Sequence, residues 1–266
     1  MENICHDLLA EYRDLVSLCE TLTPQQWQQS GDFYGWTPWD EIAHLCYFDE
    51  TGLQSATNAQ AFSQDAARLA LRTAAGEEIS AIARERYMAL DGPALLVRWR
   101  TLHEALVAAL AALDPKARLA WYGPPMSARS FATARLMETW AHGQDVWDIV
   151  GRQRPQTPRL KHIAHLGATT FKWTFVNRKL DLPAFTPCVE LVAPDGSVWT
   201  WNEGATEHWV RGSAQDFCLL VTQRRHLDDT AIEYGSAGVK AWLLLAQCFA
   251  GPPADAPDSG VRHQAT

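Results

Sequence analysis

The sequence has 266 residues, of which 47% are apolar and 20% charged, with twelve tryptophans. That is enough length for one large or two ordinary domains, and enough apolar material to fold without disulfide staples. A net charge of −8 with no dense Lys/Arg stripe removes the electrostatic footprint of a nucleic-acid binder, and no run approaches about 18 uncharged apolar residues, so no membrane span is expected.

The amino terminus (MENICHDLLAEYRDLV) is charged throughout and has no apolar signal region, so the reading is a cytoplasmic protein. The six cysteines (Cys5, Cys19, Cys46, Cys188, Cys218 and Cys248) are scattered without a C-x-x-C pair and read as small buried hydrophobes in a reducing compartment.

Taken in chain order, residues 2–23 place Ile4, Leu8, Leu9, Tyr12, Leu15, Val16 and Cys19 at three-and-four spacing, the apolar stripe of a helix. Thr37, Pro38 and Asp40 form a helix start: an N-cap, a proline at the first helical position and a carboxylate at the third. The helix that follows carries His44, Tyr47 and Phe48. The Ala-rich stretch 61–90 reads as one or two helices, and 93–113 as another, with Leu95, Leu96, Trp99, Leu102, Leu106 and Leu110 on one side and Asp114-Pro115 ending it. After the turn Gly123-Pro124-Pro125, a long helix is predicted over 128–150, stopped by Gly151. The pattern to this point is a four-helix-type bundle.

Residues 152–158 (RQRPQTP) are short, polar and proline-containing, and the grammar changes after them. The predicted domains are therefore 1–151, a helical bundle, and 158–250, a smaller α+β domain. The second comprises a helix near 159–178, a β-hairpin of 189–193 and 197–201 joined by Pro194-Asp195-Gly196, and helices over 213–224 and 236–249. The tail, 251–266, is compositionally disordered. The fold class is mainly α with an α+β C-terminal part.

On the long helix Glu138 and His142 are four residues apart and rise from one face, which Arg135 and Asp145 extend. That polar row is either a solvated surface or a polar site inside the bundle. Taken alone, Glu-x-x-x-His reads as an exposed ion pair and His44 as a hydrogen-bonded core histidine. Two imidazoles and one carboxylate are nonetheless the ligand set of catalytic zinc, with a further position open to water or substrate. Spacing does not say whether the two helices face each other. Asp49 and Glu50 read first as helix-end carboxylates and second as groups orienting an imidazole. Cys46, two residues from His44, points to another helix face and is rejected as a ligand. Trp36, Trp39 and Trp140 border these motifs and are candidates to line an apolar pocket.

The segment Gly35-Trp36-Thr37-Pro38-Trp39-Asp40-Glu41-Ile42-Ala43-His44-Leu45 resembles the second-helix motif of the DinB-like superfamily, which includes the mycothiol-dependent maleylpyruvate isomerases and bacterial thiol transferases. Residues 137–145, METWAHGQD, are similar to that family's later helix. The resemblance runs over nearly the whole chain and is closest to uncharacterised metal-binding relatives of the isomerases, on residues 123–148 and 216–230. It implies a DinB-like bundle in which His44, Glu138 and His142 hold one divalent ion, most simply zinc. It also implies an arginine near a helix end of the second domain that binds a substrate carboxylate. Arg224 matches that position best, with Arg225 a one-residue shift; Thr-Gln-Arg-Arg here departs from the isomerase-like Thr-Gly-Arg.

The implied function is a metal-dependent enzyme using a small-molecule thiol for cis-trans isomerisation of, or addition to, an unsaturated carboxylate. A thiol S-transferase or metal-assisted hydrolase on the same site is the alternative, and a non-catalytic metal-dependent binding protein is the rival from another class. A small carboxylate-bearing molecule is the expected partner.

Overall fold

The structure is a computed structural model that describes residues 1–262. Its contacts divide the chain into two compact units, Met1–Gly151 and Arg152–Thr266. Among the described residues no helix is long and apolar enough to cross a membrane.

The first unit contains six helices: α1 (Glu2–Cys19), α2 (Pro38–Thr57), α3 (Ala59–Ala74), α4 (Ile79–Tyr87), α5 (Gly92–Ala111) and α6 (Ala128–Ile149). The four long ones, α1, α2, α5 and α6, pack on one another as the bundle, and α3 and α4 lie against α2. The Ala-rich stretch is therefore two helices, parted where Gly76 takes a left-handed φ of +92°. A short hairpin of β1 (Arg118–Leu119) and β2 (Met126–Ser127), not expected from sequence, closes the loop before α6.

Local rules set the helix that matters most. Thr37 caps α2 by accepting from the Asp40 amide, while the Asp40 carboxylate accepts from the Thr37 amide at 2.9 Å, with Pro38 in the first turn. On α6 burial is almost all-round: Phe131, Leu136, Met137 and Val146 are buried, and so are Arg135, His142 and Asp145. The polar row is thus a polar site inside the bundle, and α6 lacks the one-sided pattern of a surface helix.

The joint of the bundle is Asp49 on α2, fully enclosed. Its Oδ1 accepts from Tyr12 Oη on α1 at 2.7 Å and from Arg135 Nε on α6 at 2.8 Å, and its Oδ2 accepts from Trp99 Nε1 on α5 at 2.7 Å. Burial, and then the neighbouring Asp49 charge, push the Tyr12 hydroxyl well above its ordinary pKa. His103, also on α5, stacks on Tyr12 with centroids 4.3 Å apart, and neither of its ring nitrogens has a protein hydrogen-bond partner among the described residues.

The second unit holds α7 (Leu160–Thr169), α8 (Phe171–Asn177), α9 (Ala214–Val221) and α10 (Ala237–Leu245) with β3 (Cys188–Val192), β4 (Val198–Trp201), β5 (Trp209–Ser213) and β6 (Glu233–Tyr234). The sheet order is β4-β3-β5-β6, with β3 and β5 parallel and the other pairs antiparallel. The β3–β4 hairpin turns at Pro194-Asp195-Gly196 as expected: Gly196 supplies φ +83°, and Asp195 Oδ1 accepts from the Ser197 amide. β5 and β6 are additions to the sequence reading.

The described part of the tail makes polar contacts with the rest of this unit. Ala254 donates to Gln247 Oε1, Asp229 accepts from Ser259 and Gly260, and Arg262 Nη1 donates to Gln223 O at 2.6 Å. Residues 251–262 are held by polar crosslinks that composition does not register; residues 263–266 of the expected disordered tail lie outside the described residues.

Replacing Asp49 with alanine strands the Arg135 charge and two donors in the core, which should cost about 3 to 5 kcal/mol in chemical denaturation. A loss under about 1 kcal/mol would show that the carboxylate does not hold the bundle. A second expectation concerns His103. Burial pulls its pKa from 6.5 down to about 4, opposed by Asp49 and Glu104 and assisted by Arg100 and Arg13. Between those values the unfolded chain binds a proton that the folded one refuses. Stability is therefore complete above about pH 6.5 and falls by about 3 kcal/mol as pH drops to about 4. His103→Phe should flatten that part of the pH-stability curve; an unchanged slope would rule it out.

Candidate metal centre

α2 and α6 pack directly against each other, and this brings together residues 94 or more positions apart in sequence. His44, Glu138 and His142 each offer a ligand atom, all within 4.8 Å of one another. The two imidazole centroids are 4.3 Å apart, and His142 Nε2 lies 3.4 Å from Glu138 Oε2. His142 is buried, whereas His44 and Glu138 are part-exposed, so the group opens on one side.

The donor set fits a divalent ion. Metal bonds of about 2.1 Å need donors roughly 3.4 Å apart, so only small side-chain rotations separate the triad from a ligating arrangement. The candidate donors are two imidazole nitrogens and one carboxylate, a mixture that suits a divalent ion such as zinc.

The surroundings are built from the loop before α2. Gly31 donates to Trp36 O at 2.8 Å, Gln29 Nε2 donates to Ile149 O at 3.1 Å, and a Cβ at Gly31 would meet the Ile149 side chain at 2.6 Å. This pins the loop to the end of α6. Trp36 then stacks on His142 (5.8 Å, 13°), Phe33 meets the same ring edge-on at 5.6 Å, and Phe48 lies 4.8 Å from His44. Aromatic walls fix both imidazole planes and lower the local dielectric around the donors.

One site residue went unread in the sequence. Glu41, fully buried, places Oε2 2.7 Å from His142 Nδ1, and it also forms a second close group with His142 and Asp145. Its spacing of three from His44 on the same helix was the available signal, obscured by the adjacent capping residue Asp40. Asp49 and Glu50 do not orient the imidazoles: Asp49 serves the core joint, and Glu50 accepts from Tyr87 at 2.7 Å and Arg98 at 2.9 Å. Of the three tryptophans, Trp36 walls the site, Trp39 donates to Leu90 O, and Trp140 is buried. Cys46 is fully buried, and its thiol is pushed up to about 12, chiefly by burial, which suits an inert core residue.

In the second unit, α9 ends at Val221, Gln223 two residues on takes a φ of +58°, and Arg224 follows with its amide on Leu219 O and its Nη1 on Thr222 O at 2.8 Å. A glycine would adopt this left-handed cap without strain, and glutamine pays about 1 kcal/mol there. The Gln223 side chain offsets that by donating to Ala246 O and Ala254 O. Arg224 is buried, and Arg225 Nη1 donates to Arg224 O.

Residues 8–147 match the family described as the mycothiol maleylpyruvate isomerase N-terminal domain. An uncharacterised protein of Mycobacterium tuberculosis, from strains CDC 1551 / Oshkosh and ATCC 25618 / H37Rv, is 41% identical over 250 residues, covering 93% of this chain and 95% of the relative. Crystal structures of the mycothiol-dependent maleylpyruvate isomerase and of a histidine-to-alanine mutant of it align with TM-scores of 0.55 and 0.56 at 17% identity, over 89% of this chain and 94% of theirs. At that identity the likeness shows the fold.

Purified protein should carry about one divalent ion per chain, and both His44→Ala and His142→Ala should lose it in elemental analysis. Glu138→Gln should weaken binding with the fold intact by circular dichroism. Full metal content in both histidine variants would remove the site.

Proposed function

The chain belongs to the mycothiol maleylpyruvate isomerase N-terminal domain family, and on that premise we propose that it is a metal-dependent enzyme that uses a small-molecule thiol on an unsaturated, carboxylate-bearing substrate. The observation that carries the reading is the convergence of His44, Glu138 and His142 from two helices into one partly open group. Three protein ligands with an open side are the arrangement of a catalytic rather than a closed structural ion.

A zinc ion held there would lower the pKa of an entering thiol, so that a thiolate is available at neutral pH. The chain's own residues supply the rest. His44 and His142 give neutral nitrogens, and Glu138 gives the charge. Trp36, Phe33 and Phe48 give the donors an apolar aromatic surround. Arg224, which follows the left-handed cap at Gln223, is assigned to a substrate carboxylate, to which a guanidinium donates charge-assisted hydrogen bonds.

The chemistry balances without an added reductant or oxidant. The thiolate sulfur attacks one alkene carbon, and the π pair moves onto the conjugated carbonyl oxygen. The former double bond rotates as a single bond, and reversal of the electron flow expels the thiolate and leaves the trans alkene. A transferase would instead protonate the carbon and keep the new C–S bond.

Cobalt substitution makes the first step visible. Titrating a low-molecular-weight thiol into the cobalt protein should produce a thiolate-to-metal charge-transfer band, with a proton released. Arg224→Ala should leave that band unchanged yet weaken binding of an unsaturated dicarboxylate by about 1.5 to 3 kcal/mol. Absence of the band with every physiological thiol, while the ion stays bound, would reject the thiol mechanism and favour water activation or plain metal-dependent binding.

A further inference from the structure

The strongest feature outside the proposed ligand set is Glu41. Its carboxylate is fully buried and touches the deepest ligand at 2.7 Å. A carboxylate oxygen at this distance accepts from a ring N–H, so the contact is one that the Nδ1-protonated tautomer of His142 makes and the Nε2-protonated one does not. The opposite nitrogen, Nε2, is the one that lies 3.4 Å from Glu138.

We infer that Glu41 is a positioning residue for the metal centre: it holds His142 as the Nδ1-protonated tautomer, so that the Nε2 lone pair faces Glu138 and the ion. The inference rests on the metal reading above.

Two neighbouring features make the role specific. Trp36, stacked on His142 at 13°, restricts the ring plane but leaves a 180° flip open, because the two faces of a flipped imidazole pack alike. The flip would exchange Nδ1 with Cδ2, so a polar group beside that edge of the ring removes the ambiguity, and Glu41, 2.7 Å from Nδ1, is placed to do so. α2 also carries both His44 and Glu41, three residues apart on one face. That helix therefore supplies one ligand directly and orients the other through a hydrogen bond, so the register of α2 against α6 and the geometry of the donor set are one property. A carboxylate behind a ligating imidazole also raises its basicity, and such partners are typically worth 10- to 100-fold in metal affinity.

The test uses full-length protein, a chromophoric chelator in competition for zinc, and ¹⁵N NMR of the histidine side chains in metal-free protein above pH 8. Glu41→Ala should bind one equivalent of zinc about 10- to 100-fold more weakly than wild type. In wild type, His142 should show one tautomer, with Nδ1 protonated. In Glu41→Gln the amide can either donate to Nδ1 or accept from it, so both tautomers should appear even if the alanine variant fails to fold. A zinc affinity within threefold of wild type in Glu41→Ala, or a single unchanged His142 tautomer in folded Glu41→Gln, would overturn the proposal. So would loss of the bound equivalent in both variants, since Glu41 would then be a ligand itself. His44→Ala run in parallel separates the two readings: zinc retained there removes the metal centre, whereas zinc lost there but unaffected in the Glu41 variants removes only the positioning role.

Discussion

A single buried carboxylate holds the four long helices of the first unit in register. Asp49 takes one hydrogen bond from each of α1, α5 and α6 while standing on α2 itself. Each of its partners is directional, so sliding any one helix by a turn breaks a bond in a region that water does not reach, and an unmade buried polar contact is costly. The apolar stripes drive the helices together without choosing among neighbouring registers; the Asp49 joint does the choosing.

The candidate metal centre inherits that register. His44 lies five residues before Asp49 on α2, and Glu138 and His142 lie three and seven residues after Arg135 on α6. Once the Asp49–Arg135 pair is formed, the two sides of the donor group are placed within about two turns of a fixed point. The Glu41–His142 contact is a second tie between the same two helices. Stability and site geometry thus share their supports, as a site on rigid helices requires.

The second unit shows how a local rule is broken and compensated. A left-handed turn after α9 is what places Arg224, and glycine would make it freely. Glutamine at that position is strained, but its amide reaches two carbonyls, one at the end of α10 and one in the tail. Arg262 then donates to the Gln223 carbonyl itself. The turn, the last helix and the tail become one hydrogen-bonded unit around the arginine, which explains why a polar, proline-rich tail is ordered there.

Read alone, the sequence determined what is local. The stripe of α1, the Thr37–Asp40 capping box, the Pro194-Asp195-Gly196 hairpin and the shared face of Glu138 and His142 all depend on contacts within a few residues, and each is in the structure. The mainly α class with an α+β C-terminal part followed from their sum, and resemblance to a family named His44 as the third member. Tertiary structure alone decided whether the polar row of α6 faced water or the core, that Asp49 is a joint rather than a helix-end carboxylate, that Glu41 backs His142, and that β5 runs parallel to β3. Those outcomes rest on side chains 37 to 101 residues apart or, for the strands, on a non-local pairing. Periodicity records which face of a helix or strand is apolar, but it carries no information about which other element that face will meet.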